Sequence, residues 1–184
     1  MLTGRRHRGA ALLAFVATML LLAGGICTAA IHFLLTGRQL ASQQLDREIA
    51  FRAAEAALHD AESDLLAAAT AGGARLSAWP GRGTCGTGAQ AGLCHAEGDR
   101  RHWQPWLDGA AVDGLGVPLG AFTGAQLPAL PDDVIGATAL PRYLVELRDG
   151  VDAAAGIWPR MTVTAVGFGR DPAVRVVLQT EFQP

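Results

Sequence analysis

The sequence predicts an α+β chain: a long N-terminal helix, one half membrane-spanning and the other amphipathic, packed on a small antiparallel β-sheet. Three observations predict it. Residues 10–35 contain no Asp, Glu, Arg or Lys. Residues 38–71 contain no Gly or Pro, and small apolar residues recur there at steps of three and four. Near the C-terminus, three runs alternate apolar and polar residues with a period of two. Composition sets the limits around this reading. A chain of 184 residues holds one or two domains, and a hydrophobic share of 50% rules out general disorder. A net charge of -2 supplies no basic field for nucleic acid, so direct nucleic-acid binding is not expected. All 15 positive residues are Arg, which removes lysine-based catalysis. With 3 Cys there is neither a dense disulfide scaffold nor a Cys₄ zinc site.

The uncharged run sets the first elements. As a helix, residues 10–35 would be about 39 Å long at 1.5 Å per residue, enough for a hydrocarbon core of roughly 30 Å. Only His32 can ionise within it, near its end. Gly24 and Gly25 are a soft point inside it, and Cys27 is expected to be a small buried apolar residue. Arg5, Arg6 and Arg8 precede the run, so the N-terminus is expected on the cytoplasmic side and the rest outside. A cleaved secretory signal would begin the same way. Its apolar region would be about 7–15 residues and would end in a small-residue cleavage site. This run is longer, and residues 26–30 (ICTAA) are its nearest approach to such a site.

Residues 38–71 continue the helix. Ala50, Ala53, Ala54, Ala57, Ala61, Leu65 and Ala68 form a narrow small-residue face, flanked by Leu58. Glu48 and Arg52, and Glu55 and His59, stand four apart in the favourable acid-first order. Gly72 and Gly73 are expected to end the helix. A rod of about 60 residues with an alanine face cannot bury itself, so it needs a domain or neighbouring rods alongside. The chain thus divides into a basic leader (1–9), a membrane helix (10–35), its amphipathic continuation (36–71) and an exported globular region (72–184).

In that region, residues 74–141 are rich in Gly and Pro and resist placement, although a short strand is expected within 107–119. Trp79, Trp103 and Trp106 are expected in a small core. Residues 142–148, 160–167 and 173–182 read as three antiparallel strands. Tyr143, Val145 and Leu147 share one face of the first. Met161, Val163 and Ala165 share one face of the second, with Thr162 and Thr164 opposite. Turn residues at Asp149-Gly150 and Arg170-Asp171-Pro172 separate them, and Trp158-Pro159 lies in the longer connection. Cys85 and Cys94 bracket a ten-residue segment, CGTGAQAGLC. A disulfide between them is expected in an exported region, worth about 2–3 kcal/mol by loop closure; the alternatives are free thiols or a metal site with His95 and His102. The C-x8-C-H-x6-H spacing is not a known zinc pattern, so no metal is expected.

Two segments resemble a known family. Residues 48–62 (EIAFRAAEAALHDAE) are similar to the AFxAAEAAL signature of PilX-like minor pilins of type IV pili, carried here by Phe51, Ala53, Ala54, Glu55, Ala56, Ala57 and Leu58. Residues 160–182, with a short turn before VVLQ, are similar to that family's closing strands. Arg8-Gly9 directly before an apolar run resembles the site where prepilins are cut, after Gly9 and before Ala10, leaving the apolar segment on the mature chain. The resemblance implies a pilin-like fold, cleavage by prepilin peptidase, the inner membrane and then the pilus as locations, and the assembly machinery, the major pilin and other minor pilins as partners. It implies no enzymatic activity and no cofactor. Loss of residues 1–9 would take the formal net charge from -2 to -5, since it removes Arg5, Arg6 and Arg8.

One departure from the family pattern carries information. Major pilins have Glu at the fifth residue after the cut; here that residue is Ala14, and the whole run lacks a carboxylate. A charge in hydrocarbon costs a few kcal/mol or more, so a subunit keeps it only for a partner. Its absence suits an initiating or tip-proximal subunit. A minor pseudopilin of type II secretion shares that feature and is the nearest alternative. A signal-anchored periplasmic scaffold or binding protein is the other.

No catalytic motif is present: G-x-S-x-G, H-E-x-x-H and the P-loop are all missing from the sequence. Asp60, Glu62 and Asp64 cannot all share one helix face and are expected at a solvated surface. Asp132-Asp133 reads as a turn or helix start. His95 and His102 flank Arg100-Arg101 and are expected on a polar loop surface.

Overall fold

A computed structural model describes residues 6–70, 74–108, 114–131, 135–147 and 161–182. The helix stop at Gly72-Gly73, the Asp132-Asp133 pair, the Asp149-Gly150 turn and Trp158-Pro159 lie outside the described residues. The chain divides into two compact units, Met1–Gln44 and Leu45–Pro184.

Helix α1, Arg6–Thr70, supplies every described residue of the first unit and opens the second. In the first unit, residues 11–44 are exposed throughout. Apolar and unburied, and without Asp, Glu, Arg or Lys from 11 to 35, this stretch has the length and composition to cross a membrane. Cys27 is exposed, contrary to the expectation that it is buried, because this part of α1 sits outside any core.

In the second unit, α1 is followed by the single-turn helices α2 (Ala74–Ser77) and α3 (Gln104–Leu107) and strands β1 (Leu93–His95), β2 (Val117–Pro118), β3 (Arg142–Leu147), β4 (Met161–Phe168) and β5 (Arg175–Phe182). The three C-terminal strands form an antiparallel ladder in chain order, as the alternation predicts: Val145 faces Val163, and Val166 faces Val177. The Arg170-Asp171-Pro172 turn closes β4 onto β5, with Val174 N–H donating to Asp171 C=O at 2.9 Å. Two short strands extend the sheet within residues 74–141: β2 falls in the 107–119 segment where a short strand is expected, and β1 is not expected from the sequence. β2 pairs antiparallel to β3, and β1 runs parallel to it, so the sheet is mixed rather than wholly antiparallel. These strands are two and three residues long, too short to show a period of two.

Each face of the sheet is covered by a different element. Tyr143, Val145, Met161, Val163 and Ala165 meet Ala57, Ala61 and Leu65 of α1, together with Leu93 and Val117. The other face carries Leu144, Val166 and Phe168 against Trp106 of α3, with Trp103 beside them. The three tryptophans expected in one core therefore divide, since Trp79 packs on the α1 side.

Candidate functional site

The alanine stripe seats α1 on the sheet. Ala50, Ala54, Ala57 and Ala61 are fully buried and Ala53 nearly so. Their small size matters most at β4, where a Cβ placed on Gly167 would lie 2.1 Å from Ala50 O and 2.4 Å from Ala54 N. Helix backbone thus rests directly on strand backbone, an approach that only Gly in the strand and Ala in the helix permit. The signature segment has two faces: Ala53, Ala54 and Ala57 point inward, whereas Phe51 is exposed, and Glu55, Ala56 and Leu58 are half-buried. On the outer face, Arg52 bridges Glu48 at 2.9 Å and Glu55 at 3.1 Å.

Two aspartates pin this helix, which overturns the expectation that they are solvated. Asp60 and Asp64 are one helical turn apart and both are buried. Gly120 N–H and the Thr123 hydroxyl donate to the Asp60 carboxylate. Asp64 Oδ2 accepts from Arg75 Nη2 at 2.9 Å and Tyr143 Oη at 2.7 Å. Glu62, in contrast, is partly exposed and lies 3.5 Å from His59. Arg75 also donates to Ala89 O and Ala91 O and stacks 3.6 Å from the Phe122 ring centroid, so one guanidinium ties α1 to the cysteine loop. Removing one partner of such a buried pair costs about 3–5 kcal/mol, since the other charge is left uncompensated. Sequence reasoning missed this network because an Asp-x-x-x-Asp pair on a polar helix reads as surface; its tertiary partners lie 11 to 79 residues away.

Further along α1, Asp46 receives Arg170 Nε at 2.6 Å. The hydrogen bond from Arg170 holds its carboxyl below the usual carboxylate range. Beside this pair lies an apolar groove of about 810 Å³ between Leu45, Ile49, Ala53 and Ala56 of α1 and Leu127 and Leu130.

Cys85 and Cys94 form a disulfide. His102, expected on a loop surface, is instead buried, its side chain only 8% exposed. Glu146 of β3 holds it: one carboxylate oxygen accepts from His102 N–H at 2.9 Å and from its Nδ1 at 3.0 Å. His95 is elsewhere, with Nδ1 3.3 Å from Pro80 O.

The processing and assembly positions belong to the other unit. Gly9, Ala10, Ala14, Gly24 and Gly25 all lie on α1, and a Cβ on Gly24 or Gly25 would meet nothing within 4 Å. This stretch offers exposed apolar side chains such as Leu13, Phe15, Leu21 and Phe33 and no charged group from 11 to 35. Such a surface does no chemistry; it can lie in lipid or pack against like helices.

Comparison with known families gives a match within the second unit. A family model described as Type IV pilus assembly protein PilX C-term matches residues 90–184. Those residues carry the five described strands, His102, Glu146 and Cys94. No curated protein and no solved structure matches the chain.

Proposed function

Because the chain belongs to the family of the type IV pilus assembly protein PilX, we propose that it is a minor pilin, incorporated at or near the tip of the filament or in its initiating complex. Membership places the chain in type IV pilus assembly, within a structural rather than an enzymatic family. The observation that supports the finer reading is the combination, in one chain, of an uncharged exposed apolar helix with a family domain seated on that helix's alanine-rich continuation.

The mechanism is assembly. The chain enters the inner membrane with residues 1–9 cytoplasmic and the domain in the periplasm, the orientation that Arg5, Arg6 and Arg8 favour. Prepilin peptidase cuts between Gly9 and Ala10. Residues 10–35 then leave lipid and pack among the helices of other minor pilins and the major pilin. No hydrophobic gain drives that transfer, because lipid and neighbouring helices are equally apolar; close packing and the assembly machinery must supply it. Ala14 brings no carboxylate to a neighbour's new N-terminal amine, which suits a subunit with no subunit ahead of it.

Intact-mass measurement on the membrane-extracted protein tests this. The wild-type chain is expected to begin at Ala10, and Gly9→Val to retain residues 1–9. A wild-type chain that begins at Met1, or after residue 30, overturns the reading. A deletion strain separates the nearest alternative: loss of surface pili supports a minor pilin, and loss of protein secretion with pili intact supports a pseudopilin.

A further inference from the structure

We propose that Cys85, Cys94 and His102 form a zinc site when the Cys85–Cys94 disulfide is reduced, so that the loop has two alternative closed states, one covalent and one metal-bound. The two sulfurs and a ring nitrogen of His102 all lie within 4.8 Å of one another. Cys94 is fully buried, the His102 side chain is 8% exposed and Cys85 is half-buried, so the cluster is partly shielded from water.

The histidine is already arranged as a ligand. Its Nδ1 lies 3.0 Å from the Glu146 carboxylate, and a carboxylate accepts, so Nδ1 carries the proton. The neutral ring then bears its lone pair on Nε2, and Nε2 is buried with no hydrogen-bond partner among the described residues. A buried polar atom left unpaired is destabilising. Here the unpaired atom is the one that a carboxylate–histidine–metal arrangement uses, with Glu146 fixing the tautomer and raising ligand basicity. The backbone N–H of His102 donates to the same Glu146 oxygen at 2.9 Å, which locks the residue to β3 from two points.

The redox step balances. A dithiol donor delivers two electrons and two protons to the Cys85–Cys94 bond, which breaks to two thiols as the donor closes its own disulfide. Zn²⁺ then displaces the two thiol protons as two S–Zn bonds form, and Nε2 supplies the third ligand. Ligands at about 2.3 Å in a tetrahedron place the two sulfurs about 3.8 Å apart, a small separation within this cluster. Water takes the fourth position. Two thiolates and an imidazole favour zinc over the hard oxygen-seeking cations. The sequence offers these residues together with His95 as one open state, and the C-x8-C-H-x6-H spacing speaks against it, because His102 reaches the cysteines through β3 rather than through the chain between them.

The test is a Co²⁺ and Zn²⁺ titration of the full chain in detergent, oxidised and after reduction by a phosphine. The reduced chain is expected to bind one Co²⁺ with a thiolate-to-metal charge-transfer band that Zn²⁺ abolishes; the oxidised chain is expected to show none. Glu146→Gln should weaken binding by about 10- to 100-fold with the band retained. His102→Gln should weaken it further and change the visible cobalt bands, with unaltered disulfide formation in the oxidised form as the check on folding. A reduced wild-type chain without a stoichiometric charge-transfer band overturns the proposal whatever the variants do. So does a folded His102→Gln chain that binds as tightly as wild type.

Discussion

Tyr143, the one tyrosine of the chain, reports on the helix anchor. It is fully buried on β3, and its hydroxyl donates to Asp64. Burial first, and then the bond to a carboxylate, push its phenol well above the ordinary value of 10.0. Both act by disfavouring phenolate, the first through lost hydration and the second through like charge. The folded chain therefore keeps a proton that the unfolded chain loses above about pH 10, and stability falls as pH rises past that value. Phenolate absorbance should be absent from the folded chain at about pH 11 and should appear near pH 10 in concentrated urea. Absorbance near pH 10 in the folded chain would show that Tyr143 is neither buried nor bonded to Asp64. Neither residue could be paired from sequence alone: the periodicity placed Tyr143 inward, but its partner sits 79 positions away.

At the scale of elements, α1 and β4 meet backbone to backbone. The alanine face was readable from its spacing, as was the face of β4 that receives it. Gly167 was not readable as a contact, because a glycine at a strand end gives no sign of what lies over it. Its space is filled by Ala50 O and Ala54 N, so Gly167→Ala must push the helix off the strand. Overpacking of this kind costs about 1–3 kcal/mol. Urea unfolding of the domain should register that loss for Gly167→Ala and no change for Gly24→Ala, whose added methyl meets nothing within 4 Å. Equal midpoints for wild type and Gly167→Ala would mean that α1 does not sit this close.

For the whole molecule, the division at Gln44 separates two solvent preferences. Residues 11–44 are exposed throughout and present apolar side chains from Leu12 to Leu35, whereas the unit from Leu45 has two packed clusters of its own. The full chain should remain with membranes through alkaline carbonate washing, and a chain beginning at Leu45 should stay in the soluble fraction. A full chain released by carbonate would argue against a membrane-spanning helix. The opposite result for the shorter chain would show that the seated half of α1 needs the membrane half to fold.

Sequence alone determined the features governed by local period and local charge. These are the uncharged run with a cluster of three arginines directly before it, the alanine face, the three C-terminal strands with their inward residues, and the signature that resembles the family. Each depends on residues within one helical turn, one strand or one stretch of membrane length. Tertiary structure decided what depends on long-range proximity: the parallel strand β1, the burial of Asp60 and Asp64, and the meeting of His102 with both cysteines through Glu146. A charged or polar residue reads as surface until its partner is known, because burial is tolerated only when a distant donor or acceptor is brought within hydrogen-bond reach.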